Sequence, residues 1–454
     1  MSLRRRVRPN LSVDQFNLDS RIPAPAPARV LLTGTNRWPA PARLAIGLAK
    51  AGCEVSAVCP MPAHPCLKTR AVRQTFPYSG SYPLDSLTTA IDATDPQIIV
   101  PCDERGVRHL HQLHAQAITR QGPKSRIAIL IERSLGSPES FSVVSSRDKL
   151  LRIARDVGIL VPATGPINRD EDLELFSDRQ PLPWVLKADG TWGGGGVRIA
   201  ETREQAHRFL KALSQPSGAT EIIKRLILQR DRMRHLAALN WSRRAVVVQS
   251  YIQGRPANCA VVCWEGTVLA GIGVEVVSSE GAQGPAIVIR VVDSPEMTEA
   301  AERIARRLGL SGFFGLDFMI EDETNDTYLI EMNPRCTPLC HLQLGKGRDM
   351  VGALQAKLAG ASLQETPPIT HNEMIAYFPQ AWTSQSEFLE SSFQDVPREE
   401  PELIEVLLHP WSERSLVGRA VDHLLRSRRK RRASKAHVFS AAIAAPTVSE
   451  TSEV

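Results

Sequence analysis

The chain has 454 residues, a mass of 50.0 kDa and a formal net charge of +6. At roughly 150 residues per domain that length predicts about three domains and excludes a disulfide-stapled miniprotein. With 43% apolar and 23% charged residues, the composition is that of a folded globular chain and not of a disordered one.

The charge is unevenly placed. Arg4, Arg5, Arg6 and Arg8 open the chain, and residues 426–435 hold seven further cations; neither stretch contains an acid, so the body between them is mildly acidic. No run approaches the ~18 apolar residues of a spanning helix, and the Arg-rich start lacks an apolar segment and cleavage site, which predicts a cytoplasmic location. Eight cysteines without an export signal read as reduced thiols. Zinc on Cys259, Cys263, Cys336 and Cys340 is the less favoured reading, because Cys259 lies in a strand-like run and not in a knuckle.

In chain order, residues 1–28 pass from Arg-rich to Pro/Ala-rich (Ile22 to Pro27) and predict an extended tail. Val30–Leu32, a turn at Thr33-Gly34-Thr35, a helix over Pro39–Ala51 stopped by Gly52, and Glu54–Val58 form a β-α-β beginning. A strand at Ile98–Val100 and a helix over Glu104–Ala117 extend this to a small open α/β unit at 29–132. The Gly34 turn lacks the G-x-G-x-x-G spacing of dinucleotide sites. His109, His111 and His114 read as helical surface histidines, since 109 and 111 do not share a face.

A short helix follows at 146–158, then a strand at Trp184–Lys187, a glycine run and a charged helical stretch at 221–239. Strands dominate from Ala245 to Val292, with turns expected at Gly254-Arg255-Pro256 and Glu265-Gly266. A helix over Pro295–Leu308 leads into a hairpin at 314–332. Residues 346–425 read as a less regular cap, and 426–454 as a basic disordered tail.

The hairpin carries the clearest chemistry. Phe314, Leu316, Phe318 and Ile320 alternate with Gly315, Asp317 and Met319; a turn centred on Thr324 pairs 316 with 332, 318 with 330 and 320 with 328. Asp317 then faces Glu331, and like charges at that spacing call for a compensating cation. Asn333 shares their face, and two carboxylates with an amide suit Mg²⁺, which leaves its other positions to water and phosphate. Upstream, Lys187 precedes five glycines within seven residues, a loop whose free N–H groups suit a phosphate but whose order is not that of a P-loop.

The order of these pieces, Arg147-Asp148-Lys149, Lys187 with the glycine loop, Val246 to Gly254, G-F-F-G-L-D-F and L-I-E-M-N-P-R, resembles the ATP-grasp superfamily. Tyr328 to Arg335 is similar to its carbamoyl-phosphate-synthetase and biotin-carboxylase branch, and the resemblance covers about residues 29–345. It implies an α/β ATP-grasp fold of two lobes at 133–345, hinged near 249–254 and preceded by a pre-ATP-grasp α/β domain.

On residue roles, the resemblance implies that Lys149 and Lys187 contact ATP phosphates under a mobile loop, Gly193, Gly194, Gly195 and Gly196. Gln249, Ser250 and Ile252 border adenine, with backbone bonds from Ser250 and Ile252. Asp317, Glu331 and Asn333 ligate Mg²⁺, for which Mn²⁺ can substitute. Arg335, and more weakly Arg290, steady transferred oxygens. Asn258 stands where many members place an acid for ribose, and 221–239 looks like an insertion.

The implied activity is an ADP-forming ligase that joins a small-molecule carboxylate to an amine or other nucleophile through an acyl phosphate. A kinase-like or carboxylase-like use of the site and a non-catalytic ATP-binding regulator are the alternatives; no biotin-carrier-like segment follows residue 346. Cys336, Cys340 and His341 stay open between substrate contact and a packed turn. Nucleic acid or anionic lipid on the basic tails is less favoured, because no aromatic residues are interleaved there.

Overall fold

The structure is a computed structural model that describes residues 26–62, 64–189, 196–214, 245–281 and 284–408. Residues 1–25, the charged stretch 221–239 and the basic segment 426–454 lie outside the described residues.

Four short strands, β1 (Arg29–Thr33), β2 (Glu54–Cys59), β3 (Val72–Pro77) and β4 (Ile98–Pro101), make a parallel sheet in the order β3-β2-β1-β4. Parallel strands need crossovers, here supplied by α1 (Ala40–Lys50) and α2 (Pro83–Thr94). The helices α3 (Glu104–Gln121) and α4 (Arg126–Leu135) follow β4. Alternation along β1 sends Leu31 into the core with Ile91, Leu110 and Ile131, and sends Val30 and Leu32 into the core that holds Leu44 and Leu48 of α1. Strand order reverses between β1 and β4, so the loops leaving these strands open a crevice at the sheet's carboxyl edge. Asp103 shapes that edge: it accepts from Thr35 Oγ1 at 2.9 Å, from the Asn36 amide at 3.2 Å and from the Gly106 amide at 2.8 Å.

After α5 (Phe141–Val144) and α6 (Arg147–Asp156), a second sheet forms in the order β5-β8-β6-β7 from Thr164–Ile167, Val246–Ser250, Trp184–Ala188 and Val197–Ala200, every pair antiparallel. The helices α7 (Asp170–Ser177) and α8 (Arg203–Ser214) pack on one face through Leu173 and Leu210, against Trp184, Leu186, Val246 and Val248. Lys187 and Gln249 alternate with these core residues and therefore belong to the opposite face.

The third sheet has seven strands in the order β13-β12-β9-β10-β11-β14-β15. They are β9 (Gly254–Trp264), β10 (Thr267–Ser279), β11 (Ala286–Val292), β12 (Gly312–Glu321), β13 (Thr327–Asn333), β14 (Met374–Tyr377) and β15 (Phe393–Asp395). One face is covered by α6 and α9 (Pro295–Leu308), and the other meets α1 and α10 (Met350–Ala359). Two short helices, α11 (Gln380–Thr383) and α12 (Pro401–Leu408), complete the described chain. No helix of the described residues is long and apolar enough to cross a membrane.

Several elements differ from the sequence reading. The region after residue 346 is not a separate cap layer, because β14 pairs with β11 and β15 with β14. Gly254-Arg255-Pro256 is not a turn but the start of β9; Pro256 is tolerated there because pairing with β10 ends at Ala257. The turn lies one step earlier, at Tyr251 to Gln253, where the chain passes from the second sheet to the third. Glu265-Gly266 does form a two-residue hairpin turn, both residues having positive φ (49° and 81°). His114 is not a surface residue: it is buried and bonds Glu132 at 2.8 Å, while His111 stacks on Phe141 with centroids 4.1 Å apart.

Candidate active site

The site begins with three strands in register. Asn258 of β9, Asp317 of β12 and Glu331 of β13 are directly paired, so their side chains form a row on one face of the seven-stranded sheet. The expected Asp317–Glu331 pairing is present. Beyond it the register shifts, and Phe318 pairs with Leu329 and Ile320 with Thr327 rather than with Ile330 and Tyr328. A bulge at Ile330 causes this; it lets Leu329 reach zero exposure in the core and leaves Ile330 half-buried.

Asp317 is satisfied by amides. Asn333 Nδ2 donates to one carboxylate oxygen at 2.9 Å and Asn258 Nδ2 donates to the other. Burial first, and then Glu331, push the Asp317 carboxyl up to about 6, against the pull of those two bonds. Asn258 therefore serves the carboxylate row, and its Oδ1 is buried without a hydrogen-bond partner.

Glu331 is answered by Arg147, a residue the sequence reading missed. Arg147 Nη2 donates to Glu331 at 2.7 Å and Nη1 donates to Asp189 at 2.8 Å, with the Arg147 side chain only 8% exposed. The available signal was its place in the first turn of α6, capped by Ser146, where the helix dipole disfavours a cation that has no other partner. Lys149, two residues on, is exposed. Lys187 is 6% exposed and sits in the field of Glu331, Arg147 and Asp317; burial lowers its ammonium to about 8, Arg147 adds to that, and the two carboxylates oppose it.

Arg335 ties this cluster to the first sheet. Its Nη2 donates to Asn333 Oδ1 at 3.1 Å and its Nε to Glu104 at 2.8 Å, and its guanidinium lies 5.3 Å from the Trp38 ring centroid. Trp38 Nε1 in turn donates to the Cys102 carbonyl at 3.2 Å. Trp38, from the loop after β1, and Glu104, the first residue of α3, were unassigned from sequence and stand at the β1/β4 crevice, the place where an open parallel sheet puts its ligands.

Other assignments are placed differently. Arg290 pairs with Glu275, which pairs with Ala257, a residue on the opposite face from Asn258. The register thus sets Arg290 on the far side of the sheet from Asp317, and it does not join the cluster. The Ser250 amide donates to the Ala163 carbonyl at 2.9 Å, so of the backbone groups expected around adenine this one is already engaged. Ile252 lies in the link between the second and third sheets, and Gln249 is 1% exposed with its Nε2 unpartnered. Gly196 precedes β7 and accepts from the Ala188 amide at 3.0 Å, while Gly193, Gly194 and Gly195 lie outside the described residues.

The donor set fits a hard cation between Asp317 and Glu331. It offers oxygen ligands, an Asp317 carboxyl whose charge is disfavoured by burial and then by Glu331, and an unpartnered Asn258 Oδ1 alongside. Gly315, paired with Asn333, keeps the floor open, since a Cβ there would come within 2.6 Å of Thr337 Cγ2. Among the described residues no three His, Cys, Asp or Glu side chains form a metal cluster, so a cation here would rest on two carboxylates and an amide, with water and phosphate oxygens completing its shell.

A family model described as the ATP-grasp domain matches residues 144–338, the span that contains this whole cluster except Trp38 and Glu104. Residues 144–338 are thereby assigned to the ATP-grasp domain family. The chain also resembles a longer protein: it is 26% identical over 270 residues to the carbamoyl phosphate synthase large chain of Thermomicrobium roseum, covering 58% of this chain and 23% of that one. The chain spans about a quarter of the length of that relative.

Solved structures share the fold. Biotin carboxylase of Campylobacter jejuni superposes with a TM-score of 0.54 at 16% identity, over 74% of this chain and 72% of that one. The N5-carboxyaminoimidazole ribonucleotide synthetase of Thermus thermophilus gives 0.53 at 16% identity, over 75% and 80%. An L-amino acid ligase of Bacillus licheniformis gives 0.50 at 14%, over 75% and 76%.

Proposed function

We propose that this ATP-grasp protein is an ATP- and Mg²⁺-dependent ligase that activates a small-molecule carboxylate as an acyl phosphate, which an amine or other nucleophile attacks with release of ADP and phosphate. The observation that carries the reading is the convergence of Lys187, from the open face of the second sheet, with Asp317, Glu331 and Asn333 of the third. The relatives support it: the T. roseum protein is a carbamoyl phosphate synthase chain, the B. licheniformis protein an L-amino acid ligase, and the C. jejuni structure a biotin carboxylase β,γ-ATP complex.

Asp317 and Glu331, with Asn333, would hold Mg²⁺, which when bound neutralises β- and γ-phosphate charge. Lys187 and Arg147 would bind phosphate oxygens from the side of the second sheet, with Lys149 at the rim, and the glycines from Gly193 to Gly196 would add backbone N–H donors. Gln249 and the Ser250–Ile252 link would border the base. Arg335, steadied by Glu104 and Trp38, would face the substrate carboxylate at the β1/β4 crevice and balance charge developing on the moving phosphoryl group. No protein nucleophile is required. Of the three substrates, only the nucleotide is named by this chemistry.

The test uses carboxylate and amine panels with ADP release as readout, followed by a heavy-oxygen label in the active carboxylate. Label in the released phosphate is the expected result. Unlabelled phosphate from a coupled, ligating pair would sink the acyl-phosphate route.

A further inference from the structure

A cavity of about 440 Å³ lies between α1, the loop after Arg335 and the segment from Ser392 to Glu399. None of Lys187, Asp317, Glu331, Asn333 and Arg335 lines it. One side is apolar, with Ile46, Ile369, Phe393 and Val396. The other side is a buried polar group from three distant stretches of chain: Arg43, His341 and Asp395, whose side chains are 9%, 9% and 6% exposed.

The bonding within this group is incomplete. Arg43 Nη2 donates to Asp395 Oδ1, and His341 Nε2 donates to Asp395 Oδ2 at 2.9 Å. Both oxygens of Asp395 are thereby used. His341 Nε2, already a donor, cannot accept from Arg43 at 3.3 Å, because a guanidinium only donates. Arg43 Nε is left buried without an acceptor, and the Ser392 hydroxyl is buried without a partner. Two orphaned polar groups lining one cavity are costly to keep unless something satisfies them. The lining charge is also unbalanced: Arg43, Lys50 and Arg398 stand against Asp395 and Glu399, and Lys50 is already paired with Glu399.

We propose that this cavity is a second ligand site, separate from the ATP-grasp site, that takes a small carboxylate with an apolar body. The ligand's carboxylate would meet the Arg43 guanidinium on the Ser392 side of the cavity, and its body would lie against Ile46, Ile369 and Phe393. A guanidinium donates charge-assisted bonds to a carboxylate, and a mostly apolar pocket with few convergent polar groups is the usual form of a small-molecule site. The proposal does not depend on the reaction assigned above.

Phenylacetate is the probe, titrated into the full chain with ADP and Mg²⁺ at saturation and followed by ligand-observed NMR, with acetate as the comparison. The expected result is saturable binding of phenylacetate, tighter than acetate by at least about tenfold because the ring buries apolar surface. Ile369→Trp, at a residue 43% exposed at the cavity, should weaken it by about tenfold or more without changing the unfolding midpoint. Arg43→Lys keeps a cation beside Asp395 but loses the fork, and should weaken it comparably. Absence of saturable binding, equal affinity for acetate, or binding that survives Ile369→Trp in a folded protein would overturn the proposal. A parallel titration without ADP and Mg²⁺ completes the test: binding seen only in their absence would place the probe in the ATP-grasp site and overturn the proposal.

Discussion

Asp317 and Glu331 are directly opposed across β12 and β13, yet each is satisfied by different chemistry: Asp317 by two amides, Glu331 by Arg147. Burial and the facing Glu331 nevertheless make ionising Asp317 unfavourable, against the pull of those amides. Its folded carboxyl titrates at about 6 against 3.8 in the reference state, so the folded chain binds more protons between those values and loses stability as pH rises through that window. Asp317→Asn should stabilise the metal-free protein at about pH 8 by at most about 3 kcal/mol, and the gain should shrink toward pH 4. Urea midpoints at both pH values check this. Added Mg²⁺ should raise the midpoint of the wild type and leave that of Asp317→Asn unmoved, whereas an equal response of both would remove Asp317 from the metal site.

Arg147 and Lys149 stand two residues apart on α6 and have opposite surroundings. Arg147 is the buried bridge between Asp189 and Glu331, and losing it leaves two partly buried carboxylates without their cation. Arg147→Ala should cost about 2 kcal/mol of stability, by the cost of breaking part-buried ion pairs. Lys149→Ala, at an exposed position, should stay within about 0.5 kcal/mol. Denaturant unfolding of the two variants decides, and the reverse ranking would contradict this geometry.

How far the site could be read from sequence follows from the range of the interactions. α9 was legible to the residue, because Ser294, Pro295 and Gly309 mark both ends locally. The Asp317–Glu331 pairing followed from strict alternation in a short hairpin. The bulge was not legible, since Leu329 and Ile330 are both apolar and only packing chooses between them. Arg147 was missed because its partners lie 42 and 184 residues away. Arg290 was misplaced because its face depends on counting through β10 and β9, and a single residue inverts the answer.

Lys187 is a buried cation whose ammonium is lowered to about 8, chiefly by burial. The unfolded chain holds that proton up to about 10.5, so between the two values the unfolded state binds more protons and stability rises with pH. Below that window the buried charge costs about 3 kcal/mol. Lys187→Met should therefore raise the urea midpoint at about pH 7 while weakening ADP binding. In the wild type, ADP affinity measured by calorimetry should fall as pH rises through about 8, the value at which the ammonium is lost. A flat profile across that range would mean that Lys187 does not meet the phosphates.

Glu104 and Arg335 join the first sheet to the carboxylate row through a bond of 2.8 Å, with the side chains 33% and 13% exposed. Removing the acid leaves a largely buried guanidinium that still bonds Asn333 and the Cys336 carbonyl and lies over Trp38. Glu104→Ala should cost about 1–3 kcal/mol, the usual penalty when a charged group loses its partner without water to replace it. Glu365→Ala is the control: its pair with Lys346 is 64% and 85% exposed, and its loss should change stability by less than about 0.5 kcal/mol. The functional readout is separate from stability. Because Arg335 also bonds Asn333 Oδ1, freeing it from Glu104 should lower the Mg²⁺-induced shift in unfolding midpoint, and Glu104→Gln, which keeps an acceptor, should restore most of it. An unchanged Mg²⁺ shift in Glu104→Ala would show that the first sheet contributes stability to this region but does not position its ligands.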